Sequence, residues 1–320
     1  MRVPTLKKIV KRIFRNNPEH DLLSTYFDRY ERYAFTADNC KSFEQFEGYI
    51  TRLYHTIEKG LSYTNYRPGF GKANIDKLLD AMEKYSISND ISAAFYKTAL
   101  SVLNAYIEKN KKFGVEDIGL EGRIKRLPGQ ANDEGGIIRF KPLVNTQNVD
   151  FKTLIKARHS IRHFSDEEVD LQILKAAIQL SQFTPSACNR QGWKTRIIAN
   201  EDIIKEVLSN QNGNRGFGNE IDKLLIVTSD LRYFNRDREV FQAFIDGGMY
   251  AMNVINSLAY YGVAHIPLSA SLTSEQEKIV RHIVGIDESE VLILIIGVGN
   301  YPDDCQTTRS ERKSVNPEVI

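Results

Sequence analysis

A short run near the middle of the chain divides it into two kinds of hydrophobic pattern. Residues 128–136 read Pro-Gly-Gln-Ala-Asn-Asp-Glu-Gly-Gly, a string of turn formers that marks a linker or surface loop. Before it, from about residue 18 to 127, apolar residues recur at helical spacing. Phe43, Phe46, Ile50, Leu53, Tyr54 and Ile57 share one face, and so do Ile91, Ala94, Phe95, Ala99, Val102, Leu103 and Tyr106. A Gly- and Pro-bearing break, Ser62 to Lys72, separates the two groups. Length and breaks predict an all-helical region of about five helices. After the linker the pattern alternates. Helices are expected at Phe151–Ala157, Asp166–Gln182, Asp202–Ser209, Arg238–Tyr261 and Ser274–Val284, and strands at Trp193–Ala199, Lys223–Ser229 and Val291–Val298. Ser165 with Glu168, and Ser274 with Glu277, have capping-box spacing at two helix starts. The expected class is α+β, with a central sheet flanked by helices over residues 141–320, preceded by an all-helical N-terminal region over residues 1–140.

Composition limits what such a chain can be. Its 320 residues suffice for two domains of about 100–200 residues each, with a core that needs no disulfide or structural metal. Forty-three basic and 41 acidic residues leave a net charge of +2, which excludes the whole-protein basic field of a dedicated nucleic-acid binder. The three cysteines, Cys40, Cys188 and Cys305, have no zinc spacing, and their odd number speaks against a disulfide framework. A reducing, cytoplasmic compartment is expected. The longest apolar run, Val291–Val298, is a buried strand in length and falls short of the roughly 18 residues of a membrane span. No apolar signal-peptide core stands near the start. The charge is uneven, however. Residues 1–16 contain Arg2, Lys7, Lys8, Lys11, Arg12 and Arg15 and no acid, while Leu6, Ile9, Val10, Ile13 and Phe14 form one helical face. Such a helix docks its apolar stripe on the body, lies peripherally on an anionic inner membrane face, or is a cleaved targeting segment.

Three segments carry chemistry. Arg158-His159-Ser160-Ile161-Arg162-His163-Phe164 places two guanidiniums and a hydroxyl within five residues, a donor set suited to phosphate. Taken alone such a cluster is more often a solvated basic turn. Thr184-Pro185-Ser186-Ala187-Cys188-Asn189-Arg190-Gln191-Gly192-Trp193 separates a long helix from a strand. Its amides can read a heterocycle edge or cap neighbouring backbone. Ile245-Asp246-Gly247-Gly248 opens a long helical run, where paired glycines cost roughly 1 kcal/mol each and imply close approach of another helix or backbone.

In order and spacing these segments resemble the nitroreductase family of flavin enzymes. Arg158, Ser160, Arg162 and Phe164 match its Arg-x-Ser-x-Arg-x-Phe turn, and Ser186, Asn189, Gln191 and Trp193 its Ser-x-x-Asn-x-Gln-Pro-Trp segment, with Gly192 in place of Pro. Asp246, Gly248 and Asn253 match its central helix, Gly262, Val263 and Pro267 the segment after it, Gly297 and Gly299 a buried strand, and Ser310-Glu311-Arg312-Lys313 its basic tail. The resemblance covers about residues 150–320. It implies a homodimer with FMN at the subunit interface. By position, Arg158, Ser160 and Arg312 would grip the phosphate, with Ser310 beside them and His159 in the same turn. Arg162 and Asn189 would face the ring or the ribityl chain, Ser186 and Gln191 lie in the Asn189 loop, and Ile266, Pro267 and Leu268 would line the ring through their backbone. The implied activity is ping-pong: NADH or NADPH reduces FMN, and the flavin then reduces a nitroaromatic, a quinone or a biosynthetic intermediate. No protein nucleophile or base is required. Oxidative dehydrogenation of a substrate is a related reading. A flavin-binding sensor or a non-catalytic interaction protein, associated with a membrane surface through the first helix, is the alternative from another class.

The resemblance leaves the first 140 residues unexplained. His55 and Glu58 share a helix face and are followed by Lys59 and Gly60. The pair has the spacing of a metal site, but no second pair accompanies it, so a helix-end His and a surface Glu are expected, with Gly60 as the helix C-cap. The loop Arg67–Gly71 is basic, aromatic and rigid, and either closes over a flavin or acceptor or is a structural turn.

Overall fold

The structure, a computed structural model, describes residues 23–24, 26–28, 33, 40–143, 149–235 and 239–320. The basic segment 1–16 lies outside the described residues. The chain divides into two compact units, one containing residues 142–303 and the other residues 35–141 with 304–320.

The second of these is mainly helical. Its helices are α1 (Phe43–Leu61), α2 (Lys72–Ser86), α3 (Ala94–Lys112) and α4 (Ile118–Arg126). These are four where about five were expected, and the stretch that would hold another falls largely outside the described residues. Ser42 opens α1 with a capping box completed by Gln45, satisfying amide donors that a helix start leaves open. The faces read from periodicity are buried: Ile50, Ile57, Leu78, Leu79, Met82, Tyr85, Tyr96 and Leu103 lie in one core. Two expectations are corrected. Gly60 is inside α1, whose cap is Ser62; a Cβ at Gly60 would lie 2.0 Å from the ring of Phe70, so glycine is there to admit that ring. Glu58 is fully buried rather than on the surface. It faces the junction with residues 134–140, where its Oε1 accepts from Gly136 N at 3.0 Å, while Oε2 lies 3.3 Å from His55 Nδ1. Burial without that partner would be costly. The loop at 67–71 is bolted down by Asn110, whose Oδ1 accepts from Gly69 N (2.8 Å) and Tyr66 Oη (3.0 Å).

A two-stranded ribbon completes this unit. Strand β1 (Ile137–Phe140) pairs antiparallel with the last strand of the chain, β6 (Cys305–Thr308), in the register Ile137 to Thr308. The sequence reading keeps residues 304–320 with the sheet half; in the structure they return to the helices. Arg309 N donates to Gly136 O (3.1 Å), Gln306 Nε2 to Ser62 O (3.2 Å), and Thr98 Oγ1 to Glu311.

The other unit holds a four-stranded antiparallel sheet of order β2-β3-β5-β4, with β2 Trp193–Ile198, β3 Lys223–Asp230, β4 Ala264–Ser269 and β5 Glu290–Gly299. Around it run α5 (Phe151–Ala157), α6 (Leu171–Ser181), α7 (Glu201–Ser209), α8 (Gln242–Tyr260) and α9 (Ser274–Val284). One sheet face (Leu225, Val227, Ile296, Val298) packs with Tyr250, Val254 and Leu258 of α8 and Leu174 of α6. Of the paired glycines, Gly247 makes the close approach: a Cβ there would meet Ile293 at 2.7 Å. The expected capping boxes shift. Helix α6 begins five residues after Asp166, with Asp170 accepting from Gln172 N at 2.8 Å, while the amide of Ser165 donates to Asn300 O. In α9 the box is Thr273 with Gln276. Strand β4 was not expected. Its Pro267 carries no donor, but β4 is an edge strand, and the Pro267 backbone nitrogen takes the alternation that faces away from β5, where no ladder bond is lost.

Gly299 ends β5 where the side chain of Phe164 crosses it: a Cβ there would lie 2.6 to 2.9 Å from Phe164 Cδ1, Cγ and Cβ. Gly299→Ala is therefore expected to destabilise the sheet unit by about 1–3 kcal/mol, as overpacking does, read as a lower denaturant midpoint with an unchanged slope. An unchanged midpoint would contradict this packing.

Candidate functional site

The turn that follows α5 sets two buried apolar residues among polar ones. Arg158 N donates to Leu154 O (3.0 Å) and closes the helix. Ile161 and Phe164 are buried, and Arg158, His159 and Ser160 are half-buried. Arg162 is 7% exposed, which marks it as a cation held inside rather than one solvated at the surface. His163 Nδ1 lies 2.5 Å from Glu220 Oε2, which also accepts from Phe164 N at 3.3 Å. The turn is fastened to the sheet by one backbone bond, Ile161 N to His265 O, at 2.9 Å.

That bond brings the turn to the outer edge of β4, the strand containing Ile266, Pro267 and Leu268. Side chains of Ile266 and Leu268 are buried in the sheet, and by strand alternation their backbone groups face β5. Outward-facing groups of an edge strand alternate. His265 O is taken by Ile161 N, and Ser269 O accepts from Gln211 Nε2 at 3.0 Å. The carbonyl of Pro267 faces outward between them. Gln211 is itself held, its Oε1 accepting from Gly213 N and from Asn214 Nδ2.

The loop between α6 and β2 contains the other sequence candidates. Ser186 Oγ accepts from Gln191 N (3.0 Å), and Gln191 Nε2 donates to Asn189 Oδ1 (3.1 Å). Asn189 and Gln191 are exposed, so both amides can meet a ligand. Asp246, buried in α8, accepts from Ala187 N at 3.1 Å and from Gln242 Nε2 at 2.7 Å. Asn253 Nδ2 donates to Thr184 Oγ1 at 2.6 Å. Asp246 and Asn253 of α8 thus fasten the loop. Ser310 and Arg312 belong to the helical unit, where Arg312 Nη1 donates to Ser310 O at 2.6 Å. The contacts that sequence reasoning missed, Glu220, Gln211 and His265, join residues tens of positions apart, and no local spacing announces them.

The turn offers a cation and a hydroxyl, the 186–191 loop two exposed amides and the β4 edge a carbonyl acceptor, groups of the kinds that suit a phosphate-bearing planar heterocycle. Among the described residues, no group of three or more His, Cys, Asp and Glu could hold a metal ion, and no helix is long and apolar enough to cross a membrane.

The sheet unit has an α+β fold with a candidate edge-strand site, and part of it is similar in sequence to known proteins. Residues 155–211 match the family model described as nitroreductase family. A protein of Archaeoglobus fulgidus, proposed to be an NADH dehydrogenase or NAD(P)H nitroreductase, is 21% identical over 167 residues, covering 52% of this chain and 94% of the relative. Among solved structures, a proposed NAD(P)H:FMN oxidoreductase from Staphylococcus epidermidis is similar with a TM-score of 0.45 at 16% identity, over 56% of this chain and 96% of that one. A nitroreductase family protein from Streptococcus pneumoniae is similar with a TM-score of 0.41 at 17% identity, over 53% and 96%. Through residues 155–211 the chain is similar to the nitroreductase family, and the Archaeoglobus relative extends that similarity to about half of the chain.

His265 supplies a pH test of the site's core. Burial, and then the charge of Arg158, push its imidazole down to about 4, against the Val263 O bond that favours protonation. Nδ1 lies 2.9 Å from that carbonyl, which fixes the neutral tautomer with its proton on Nδ1. The free-chain value is near 6.5. Between the two, the unfolded chain binds a proton that the native one refuses, so stability falls as pH drops from about 6.5 to 4, by on the order of 3 kcal/mol in all. Denaturation at pH 7 and 4.5 should show this fall, reduced in His265→Leu; an equal fall in both proteins would contradict the assignment.

Proposed function

We propose that the chain is an FMN-dependent oxidoreductase that takes a hydride from NADH or NADPH and, in a second half-reaction, passes reducing equivalents to a small nitroaromatic, quinone or biosynthetic intermediate. The bond from Ile161 N to His265 O carries this reading, because it makes the anion-binding turn and the strand edge one backbone assembly. FMN, when bound, supplies the hydride chemistry, and the protein supplies position and charge. Arg158 and Ser160 bind the phosphate through charge-assisted and neutral hydrogen bonds, with His159 in the same turn. Arg162, held inside, contributes positive charge that favours an anionic reduced ring over a neutral oxidised one. Asn189 and Gln191 present amides to the heterocycle, with Ser186 fixing their loop. Pro267 presents its outward carbonyl toward the ring, and Ile266 and Leu268, which the family resemblance also assigns to the ring, flank it with their backbone turned to β5. Ser310 and Arg312 are assigned to the phosphate by the family resemblance alone, and Arg312→Ala tests that assignment separately.

Replacing Arg158 by Ala removes a charged donor, worth about 1.5–3 kcal/mol, so FMN affinity should fall about 10- to 100-fold. Titration of the purified chain with FMN, followed by quenching of flavin fluorescence, measures it. An unchanged Kd would contradict the site.

The same reading makes the chain a homodimer. Phe244, Ile245, Met249 and Met252 are 40–52% exposed along one side of α8, and Gly248 among them faces open space. Helical spacing makes these one apolar stripe, long enough for the same helix of a second copy. Ile245→Glu is expected to halve the mass measured by light scattering during gel filtration. A dimer that survives the substitution would place the interface elsewhere.

A further inference from the structure

The loop at 186–191 is built in a conformation its residues do not favour. Cys188, Asn189 and Gln191 have φ of 51°, 53° and 51°, in the left-handed region that a Cβ disfavours and that asparagine tolerates best. None of the three is glycine, so the surroundings must impose the shape. The residue among them with ordinary backbone angles is Arg190, at φ −79° and ψ −20°.

Arg190 is held on every side. Its Nε donates to Ala187 O at 2.8 Å, closing the turn that contains Cys188 and Asn189. Nη1 donates to Tyr233 O at 2.8 Å. Both terminal nitrogens meet Glu239, Nη1 with Oε2 and Nη2 with Oε1, each at 2.8 Å, in a two-bond fork. The guanidinium also lies 5.2 Å from the ring centroid of Phe234. Glu239 is fixed in turn, since Oε2 accepts from Asn235 N at 2.5 Å. Gly192 belongs to the same arrangement. A Cβ there would stand 3.1 Å from Tyr233 and 3.2 Å from Phe234, so the glycine that replaces the family's Pro lets the 233–234 segment come close enough to receive Arg190. The charge of Arg190 is thereby committed to Glu239, while its neighbours Cys188, Asn189 and Gln191 remain exposed.

We propose that Arg190 and Glu239 are positioning residues: their fork holds the 186–191 loop in its left-handed course and so presents the Asn189 and Gln191 amides to the flavin. The inference rests on the reading that this loop faces FMN. Neither residue touches the cofactor, and either one alone is insufficient, because the fork needs both halves.

The test uses the full chain as Arg190→Ala, Glu239→Ala and the double variant, with three readouts. FMN affinity should fall about tenfold in each single variant, and the shape of the bound flavin's visible band should change. The double variant should be no worse than either single one, as expected of a coupled pair. Thermal unfolding of the flavin-free variants should stay close to wild type, which separates positioning from general destabilisation. Cys188 serves as a reporter that needs no flavin: it is exposed whereas Cys40 and Cys305 are buried, and its reaction with a disulfide reagent should change several-fold when the fork is broken. Unchanged FMN affinity and unchanged Cys188 reactivity in Arg190→Ala overturn the inference and leave the flavin reading standing. Additive losses in the double variant also overturn it. A wild-type chain that takes up no FMN overturns the flavin reading instead, and the Cys188 rate then still decides whether the fork holds the loop.

Discussion

One backbone hydrogen bond, Ile161 N to His265 O, organises the site. It works because β4 is an edge strand with outward carbonyls, and because Ile161 and Phe164 are buried on either side of the cation Arg162. An exposed edge is normally a liability for a sheet. Here the turn covers one end of it and Gln211 covers the other, through Ser269 O. What is left between them is a short length of backbone around Pro267. The apolar residues of the turn give it an address on the sheet, and the polar residues between them are carried along to where a ligand can meet them. The buried neutral imidazole of His265 lies behind the same bond, so the pH response of the fold and the integrity of the site share one residue.

Much of this was legible in the sequence, for identifiable reasons. The apolar stripes of α1 and α3 are long and strictly periodic, and the run Val291–Val298 falls inside the β5 that formed. Helix starts were less readable, because several Ser, Thr and Asp residues compete for each cap. Asp170 won over Ser165 where the chain first pairs with Asn300, and Thr273 won over Ser274. Strand β4 escaped notice because His265 and Pro267 interrupt its apolar pattern, and only its edge position makes them acceptable. Glu58 looked like a surface residue because its partner, Gly136, lies at the far end of the linker, 78 positions away. The residues matched by family pattern are those nearest the site. The residues that hold them, Glu239, Glu220 and Gln211, come from distant parts of the chain, and local spacing cannot show such pairs.

The helical unit has its own logic. Its helices bury an aromatic-rich core in which Tyr85 stands between Phe46, Phe95 and Tyr96. Its ribbon joins the linker after α4 to the end of the chain. The segment from Arg309 to Lys313, which resembles the family's basic tail, is therefore shaped by helical-unit contacts: Gly136 O for the Arg309 amide, Thr98 for Glu311 and Glu47 for Lys313. Asn132 Nδ2 donates to the same Thr98 hydroxyl at 2.9 Å, so the linker and the tail share one anchor. The extension is thus more than an appendage added before a finished domain. It supplies the partner strand and the side chains that order the last residues of the chain.

The central claim is that this site runs flavin redox chemistry. Anaerobic mixing of the FMN-loaded chain with NADH or NADPH in a stopped-flow spectrophotometer tests it most directly. The visible band of the oxidised flavin should bleach with one of the two nucleotides and return when a quinone or nitroaromatic is added. A chain that holds FMN but keeps its oxidised spectrum with both nucleotides would contradict the account and leave a flavin-binding protein without reductase activity.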